Sequence, residues 1–326
     1  MQYILGHCIK MGFKMNSRCL LRRMSHSKVQ PLLNVVKEIE IKVPWGKIAA
    51  KLWGTENKQP ILALHGWQDN AASFDTIAPY LLKNIPIMAI DFPGHGFSSW
   101  LPPGIMYSDL IYLMLMQRIK QYFGWDKMKI MAHSMAGLAS FYYSSFFPNE
   151  VEYIIGLDAV VTIGVTRTEY PSYFSKNLSK LLEVETYANE IKYTKEEMMG
   201  RWISSIKNSI DEDTCKILMT RGVTEVEHGK YVFNRDPRLK FSPYFSQYTN
   251  EHINTYAKYI RCPCLFITAK DSYISDTINT FNNFNTMRET NENVYWHEVP
   301  GTHHIHMRDP ENVSKIINLF LEKYDK

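Results

Sequence analysis

Residues 128–137, with the sequence Met-Lys-Ile-Met-Ala-His-Ser-Met-Ala-Gly, decide the fold that we expect for this chain. The apolar run before His133 predicts a short buried strand, and the residues after Ser134 predict a helix with small side chains in its first turn. A strand that passes into a helix through one serine is typical of a nucleophile elbow. Because this turn is tight, the positions two before and two after the serine must be small, and here they are Ala132 and Ala136.

Ser134 also has a simpler interpretation, because serine is a common N-cap residue of helices. The elbow consensus has glycine where this chain has alanine. In either case the free N–H groups of the helix N-terminus favour negative charge beside the hydroxyl. The rest of the chain therefore has to distinguish a nucleophile from a cap.

The composition is that of an ordinary globular protein. The chain has 326 residues, of which 45% are hydrophobic and 21% are charged, so it is long enough for one large α/β domain or for two domains. Its net charge of +4 is small and lies largely in the first forty residues, which gives little support for a nucleic-acid partner. No stretch is apolar for long enough to predict a transmembrane segment.

The first 37 residues are basic, and the first acidic residue is Glu38. A basic segment without acids fits a mitochondrial transit peptide, and it equally fits a disordered extension, so we expect residues 1–37 to lie outside the fold. The chain has five cysteines without a disulfide framework, which indicates an intracellular protein. The expected compartment is the cytoplasm, or the mitochondrion if the extension is a transit peptide.

Beyond the extension, apolar strands alternate with helices. Residues 38–43 and 48–53 predict an antiparallel hairpin, and residues 71–82 predict a helix. Buried strands without polar alternation are predicted at residues 60–64, 86–90, 130–132, 153–157 and 263–267, and a last strand is predicted at residues 294–299. The predicted fold class is therefore α/β, with a mostly parallel central sheet and helices on both faces. Ligands of such sheets bind at the carboxyl ends of the strands.

The domain organisation follows from the same patterns. Residues 38–163 and 261–326 carry the buried strands and predict the α/β core. Residues 164–260 are helical, turn-rich and dense in aromatic side chains, which predicts an inserted helical cap.

A serine, an acid and a histidine follow predicted strands in the order that suits nucleophilic catalysis. A serine hydroxyl is a weak nucleophile near neutral pH and needs a general base, and histidine, with an ordinary pKa of about 6.5, can take and return the proton. A carboxylate then orients the imidazole. The residues that we expect in these roles are Ser134, Asp271 and His303.

Four segments carry a resemblance to a known family: residues 65–75, His-Gly-Trp-Gln-Asp-Asn-Ala-Ala-Ser-Phe-Asp; residues 91–99, Asp-Phe-Pro-Gly-His-Gly-Phe-Ser-Ser; residues 233–238, Phe-Asn-Arg-Asp-Pro-Arg; and residues 301–307, Gly-Thr-His-His-Ile-His-Met. Together they resemble the serine hydrolase-like proteins, the kraken-type group of the α/β-hydrolases. The resemblance extends from about residue 38 to the end of the chain, and it implies the α/β-hydrolase fold.

The resemblance also bears on the site residues. The backbone N–H groups of Trp67 and Met135 would form the oxyanion hole, an assignment that the expected geometry also favours. Asp271 lies in the family's usual place for the acid, after the penultimate strand. The family pattern aligns His303 with the catalytic histidine.

Two alternatives remain at this stage. His304 is adjacent to the expected base, and Asp158 ends an earlier strand from which some hydrolases draw their acid. His95 lies on a different loop, and we interpret it as structural.

The predicted activity is that of a carboxylesterase-like serine hydrolase acting on a small or medium apolar acyl substrate, with no metal and no organic cofactor implied. The alternative is a hydrolase-fold protein that binds a ligand without turnover, because Ala132 and Ala136 depart from the elbow consensus. The sequence does not decide the oligomeric state.

Overall fold

A computed structural model of the protein describes residues 36–55, 57–159, 170–186, 191–205, 209–241, 249–272 and 277–326. Residues Leu32–Lys326 form one compact unit. The N-terminal extension up to residue 35 lies outside the described residues, so its expected targeting role stays a prediction. Within the described ranges no helix combines the length and the apolar character needed to cross a bilayer.

The first half of the fold begins with four strands and then alternates helices with strands. Its elements are β1 (Val36–Val43), β2 (Gly46–Trp53), β3 (Ile61–Leu64), β4 (Ile87–Ile90), α1 (Asp109–Phe123), β5 (Met128–His133), α2 (Met135–Phe146) and β6 (Val151–Leu157). The first strand begins two residues before the period-two pattern predicts, so Val36 and Lys37 belong to the sheet rather than to the extension.

The second half leaves the sheet after β6 and returns to it at β9. Its elements are α3 (Tyr170–Thr186), α4 (Lys195–Ser205), α5 (Glu212–Gly222), β7 (Val223–Glu227), β8 (Lys230–Phe233), α6 (Asn250–Ala257), β9 (Cys264–Ala269), α7 (Thr277–Thr290), β10 (Val294–Val299), α8 (Ile305–Arg308) and α9 (Pro310–Tyr324).

The described strands form an eight-stranded sheet in the order β1-β2-β4-β3-β5-β6-β9-β10. Strand β2 pairs antiparallel with both of its neighbours, and the pairs from β4 to β10 are parallel. Alternate residues of β3 pack into two apolar clusters, with Leu62 on the face of α1 and α2 and Ala63 on the face of α9. Both faces are thus covered, which confirms the predicted fold class and explains why its central strands lack polar alternation.

The predicted helix over residues 71–82 is wrong. The structure has two short 3₁₀ turns in its place, Ala71–Phe74 and Ala78–Tyr80. Pro79 has no backbone N–H, and its ring disfavours the helical conformation of the residue before it, so a continuous helix does not propagate through this segment.

The segment between β6 and β9 contains helices α3 to α6 and the antiparallel pair β7–β8 among its described residues. Helices α4 and α5 share an apolar cluster around Trp202 that is separate from the clusters of the sheet. Ile253 and Ala257 of α6, in contrast, pack in the cluster formed by α1 and α2. The division into a core and a cap over residues 164–260 stays a prediction, and the packing associates α6 with the core.

A buried ion pair ties this segment to the sheet. The Arg221 guanidinium, at the end of α5, donates from Nη2 to Oδ2 of Asp91 over 2.7 Å and from Nε to the same oxygen over 3.1 Å. The Asp91 carboxylate, just after β4, also accepts the backbone N–H groups of Ala71 at 2.7 Å and Phe97 at 2.9 Å. It therefore fixes two loops at the carboxyl end of the sheet.

We expect Arg221→Met to lower the free energy of unfolding by about 3–5 kcal/mol, because it leaves a buried carboxylate without its cation. Urea denaturation measures the change. Lys216→Met, on the same helix but with a half-exposed side chain, is the matched control and should change stability by no more than about 0.5 kcal/mol. Equal effects of the two substitutions would contradict this role for the ion pair.

Candidate active site

Ser134 lies at the sharp turn between β5 and α2. Its φ of 53° and ψ of −119° belong to a region that residues with a side chain seldom adopt, and such a conformation costs about 1–3 kcal/mol. Its backbone N–H donates to the carbonyl oxygen of Leu157 over 3.3 Å, and its carbonyl accepts the N–H of Gly137 at 2.9 Å. The neighbouring strand and the first helical turn thus stabilise the strained residue.

Close packing beside the turn occurs at Gly137. Ala132 and Ala136 are fully buried and fit their positions, so the alanines of the motif are accommodated. A Cβ atom at Gly137, in contrast, would lie 2.2 Å from the Cβ atom of Ala159. Because Gly137 has no side chain, the start of α2 packs closely against the loop that carries Asp158.

His303 lies between Ser134 and Asp158. Its Nε2 atom is 2.8 Å from the Ser134 hydroxyl oxygen, and its Nδ1 atom is 2.6 Å from Oδ2 of Asp158. Because an ionised carboxylate only accepts hydrogen bonds, Nδ1 carries the proton and Nε2 is left to accept the serine hydroxyl. This tautomer is the one that a general base needs.

The Asp158 carboxylate is itself held by the next strand and its loop. The backbone N–H of Ala269 donates to Oδ1 over 2.8 Å, and the Ser272 hydroxyl donates to Oδ2 over 2.5 Å. Burial alone would raise the pKa of Asp158, but the hydrogen bonds from His303, Ala269 and Ser272 together lower that pKa below its ordinary value. Burial lowers the pKa of His303 to about 4, so the imidazole is neutral at neutral pH.

The expectation that Asp271 orients the histidine differs from the structure, in which the alternative, Asp158, contacts His303 Nδ1. The Asp271 side chain is exposed, and its backbone N–H donates to the carbonyl oxygen of Gly301 over 2.9 Å. Ala269 at the end of β9 and Ser272 in the loop after it therefore both donate hydrogen bonds to Asp158. Sequence reasoning did not identify this role of Ser272.

The expected oxyanion donors follow neighbouring strands. Leu64 of β3 and Ala132 of β5 are paired across the sheet, and Trp67 and Met135 each lie three residues beyond this pair. Met135 is the first residue of α2, where backbone N–H groups have no partner within the helix. Both peptide groups thus lie at the same edge of the sheet as Ser134.

Two buried histidines fix the loop that carries Trp67. His65 Nδ1 donates to the carbonyl oxygen of Gly66 over 2.7 Å, and its Nε2 accepts the backbone N–H of Phe92 at 3.0 Å. His95 Nε2 accepts the N–H of Gln68 at 3.2 Å, at a residue with a φ of 65°. His95 therefore has a structural role, because it holds the backbone of this loop at Gln68.

The alternative base, His304, points away from Ser134 toward other partners. Its Nδ1 lies 2.8 Å from the hydroxyl oxygen of Ser209, and its Nε2 lies 3.3 Å from Oδ2 of Asp69. Asp69, His133 and His304 form a buried group that could hold a metal ion. No local sequence pattern signals this group, because its members are far apart along the chain.

The fold and this site define the class of an α/β-hydrolase. A family profile described as the alpha/beta hydrolase fold matches residues 59–189. A hypothetical protein from Pseudomonas aeruginosa PAO1 has a similar structure, with a TM-score of 0.78 and 25% identity over 88% of this chain and 100% of that chain.

Curated relatives narrow the class. A probable serine hydrolase from Drosophila melanogaster is 37% identical over 88% of this chain and 88% of its own length. A serine hydrolase-like protein from Mus musculus is 30% identical over 87% of this chain and 95% of its own length. The chain belongs to the serine hydrolase-like family of the α/β-hydrolases, as its motifs predict.

We expect Gly137→Ala to lower the free energy of unfolding by about 1–3 kcal/mol, because the added methyl group overpacks the contact with Ala159. Chemical denaturation measures this loss. Gly200→Ala is the matched control: Gly200 lies in α4 with no atom within 4 Å of its added Cβ, so this substitution should stabilise the protein by about 0.5–1 kcal/mol. Stabilisation by both substitutions would show that Gly137 is not a point of close approach.

Proposed function

We propose that this protein is a carboxylesterase-like serine hydrolase that cleaves a small or medium apolar ester or related acyl compound. Ser134 is the nucleophile, His303 the general base and Asp158 the residue that orients His303. The observation that carries the proposal is the continuous chain of hydrogen bonds from Ser134 Oγ through the His303 ring to Asp158, with lengths of 2.8 Å and 2.6 Å. The family membership of the chain supports it independently.

The proposed reaction has two halves. Ser134 Oγ attacks the substrate carbonyl carbon while His303 Nε2 takes the hydroxyl proton, and the carbonyl oxygen becomes an oxyanion. The backbone N–H groups of Trp67 and Met135 stabilise this charge. His303 returns the proton to the leaving alkoxide, which departs as an alcohol and leaves an acyl-serine. Water, activated by the same imidazole, then releases the acid and restores the serine.

The apolar character of the acyl group is inferred from the side chains beside Ser134. Trp67, whose backbone N–H is one of the proposed oxyanion donors, is 39% exposed. Met135 and Leu138, in the first turn of α2, are also only partly buried. Apolar surface that remains accessible next to a nucleophile favours an apolar substrate group.

A second candidate is a protein of the same fold that binds a ligand without turnover. The departures at Ala132 and Ala136 motivate it, because an elbow distorted by these two larger side chains would leave Ser134 unreactive. The two candidates differ in a single measurable property, which is the chemical reactivity of the Ser134 hydroxyl.

We expect a fluorophosphonate probe to label the protein at Ser134, and Ser134→Ala to abolish both labelling and hydrolysis of p-nitrophenyl butyrate. Mass spectrometry of the labelled peptide identifies the site. Ser140→Ala is the matched control, because the Ser140 hydroxyl is buried on the same helix and donates to the carbonyl oxygen of Ala136 over 2.7 Å. An unlabelled wild-type protein that still binds apolar esters would favour the ligand-binding candidate.

We expect Asp158→Asn to lower kcat by about 10⁴, the loss that follows when a triad carboxylate no longer fixes the tautomer of its histidine. Asp271→Asn is the matched control. Asp271 also follows a strand of the sheet, but its side chain is exposed, so kcat should stay within about twofold of wild type. Steady-state kinetics on p-nitrophenyl butyrate separate the two variants. A larger loss for Asp271→Asn would assign the acid to the loop after β9.

A further inference from the structure

A second group of polar side chains lies behind the imidazole of His303. Asp69 follows β3, His133 ends β5, and His304 precedes α8, and each of the three is at most 3% exposed. One carboxylate oxygen and one nitrogen from each ring all lie within 4.8 Å of one another. The proposed hydrolytic mechanism uses none of the three side chains.

The spacing of these atoms matches the coordination shell of a small metal ion. Oδ2 of Asp69 is 3.3 Å from Nδ1 of His133 and 3.3 Å from Nε2 of His304. A tetrahedral Zn²⁺ site has bonds of about 2.0–2.1 Å, which separates neighbouring ligand atoms by about 3.3–3.4 Å. We propose that Asp69, His133 and His304 bind one transition-metal ion of the Zn²⁺ type.

The outer nitrogens of both rings are hydrogen-bonded in the manner of metal ligands. His133 Nε2 lies 3.1 Å from the carbonyl oxygen of His303, which can only accept, so Nε2 carries a proton. His304 Nδ1 lies 2.8 Å from the Ser209 hydroxyl oxygen. The bond to the carbonyl fixes the His133 tautomer that a metal needs, and both rings direct their other nitrogens, His133 Nδ1 and His304 Nε2, toward Asp69.

Two polar atoms of the group have no hydrogen-bond partner among the described residues. They are His133 Nδ1 and Asp69 Oδ1, and both are buried. With Nε2 protonated, Nδ1 of a neutral His133 directs a lone pair at a carboxylate, and two acceptors facing each other repel. Either a cation or a second ring proton between them removes this repulsion. The separation of 3.3 Å exceeds the roughly 2.7–2.9 Å of a charge-assisted N–H···O bond and equals that of neighbouring metal ligands.

The His306 ring borders this group but is not part of the proposed ligand set. The centroids of the His306 and His133 rings are 4.4 Å apart. Both ring nitrogens of His306 are buried without a hydrogen-bond partner among the described residues. Buried polar atoms of native proteins are nearly always paired, so four unpaired atoms in and beside this group require an explanation. Metal coordination by the Asp69 carboxylate and by His133 Nδ1 would account for the unpaired atoms of these two residues.

The backbone leaves space beside the ligand atoms. A Cβ atom at Gly66 would lie 2.8 Å from His133 Nδ1 and 3.0 Å from Oδ2 of Asp69. The absence of a side chain at this position therefore keeps the gap between the two atoms open. A ligand set of imidazole and carboxylate without thiolate suits Zn²⁺, Co²⁺, Ni²⁺ or Cu²⁺ rather than Mg²⁺ or Ca²⁺.

Metal binding to the full-length protein tests the site. After treatment with a chelator, the wild-type protein should bind one equivalent of Co²⁺, with the visible absorption of a tetrahedral complex, and Zn²⁺ should displace it. Asp69→Asn should weaken binding at least tenfold, and Ser209→Ala, which removes the hydroxyl bonded to both Nδ1 and the backbone N–H of His304, about 10–100-fold. His228→Gln, at an exposed turn, is the matched control and should bind the metal like wild type.

X-ray absorption of the Zn²⁺-loaded wild type keeps the test independent of how the variants fold. We expect at least two imidazole nitrogens and one carboxylate oxygen at about 2.0–2.1 Å. A shell of oxygens alone, binding that survives in Asp69→Asn, or no stoichiometric binding would overturn the proposal. The group would then be a hydrogen-bonded pair of an imidazolium and a carboxylate.

Discussion

The strained backbone of Ser134 is the constraint on which the rest of the site depends. A residue with a φ of 53° directs its side chain out of the turn, but it is unfavourable by about 1–3 kcal/mol unless its surroundings impose it. The surroundings here are a strand whose last four residues are buried on one side and a helix with small residues in its first turn on the other. The hydroxyl is therefore rigidly positioned before any substrate binds, which is what orientation of a nucleophile requires.

The same local geometry occurs one strand further along the sheet. Asp158 follows β6 as Ser134 follows β5, and it also has a positive φ, of 43°. Each backbone N–H reaches the last part of the next strand: Ser134 donates to Leu157, and Asp158 donates to Ile267 over 2.7 Å. The nucleophile and the carboxylate are thus placed by equivalent hydrogen bonds to successive parallel strands. The sheet register determines the separation that the imidazole spans.

The sequence predicted what depends on local patterns. The elbow at Ser134, the order of the strands and the approximate position of His303 follow from short motifs. The choice between Asp158 and Asp271 does not, because both follow buried strands and both are acidic. In the structure Asp158 contacts His303 Nδ1 and accepts from Ala269 and Ser272, and this depends on the course of the loop between those two donors. The grouping of Asp69 with His304 spans 235 residues and needs the full fold.

The three buried carboxylates at the carboxyl end of the sheet are compensated in different ways. Asp91 has the Arg221 guanidinium at 2.7 Å, and Asp158 has donors from a ring, a backbone N–H and a hydroxyl. Asp69 has imidazoles at 3.3 Å and one unpartnered oxygen among the described residues, with attraction to Arg235 as a further contribution.

Burying a carboxylate is costly unless opposite charge or strong donors offset its lost hydration. The closest contacts that compensate Asp69 are longer than those of the other two carboxylates. His304 nevertheless lowers the pKa of Asp69 against the effect of burial, which keeps the carboxylate ionised. An ionised group in this position attracts a cation, whether a proton on a neighbouring ring or a metal ion. Because His133 donates to the backbone carbonyl of His303, the cation that balances Asp69 also influences where the base is held.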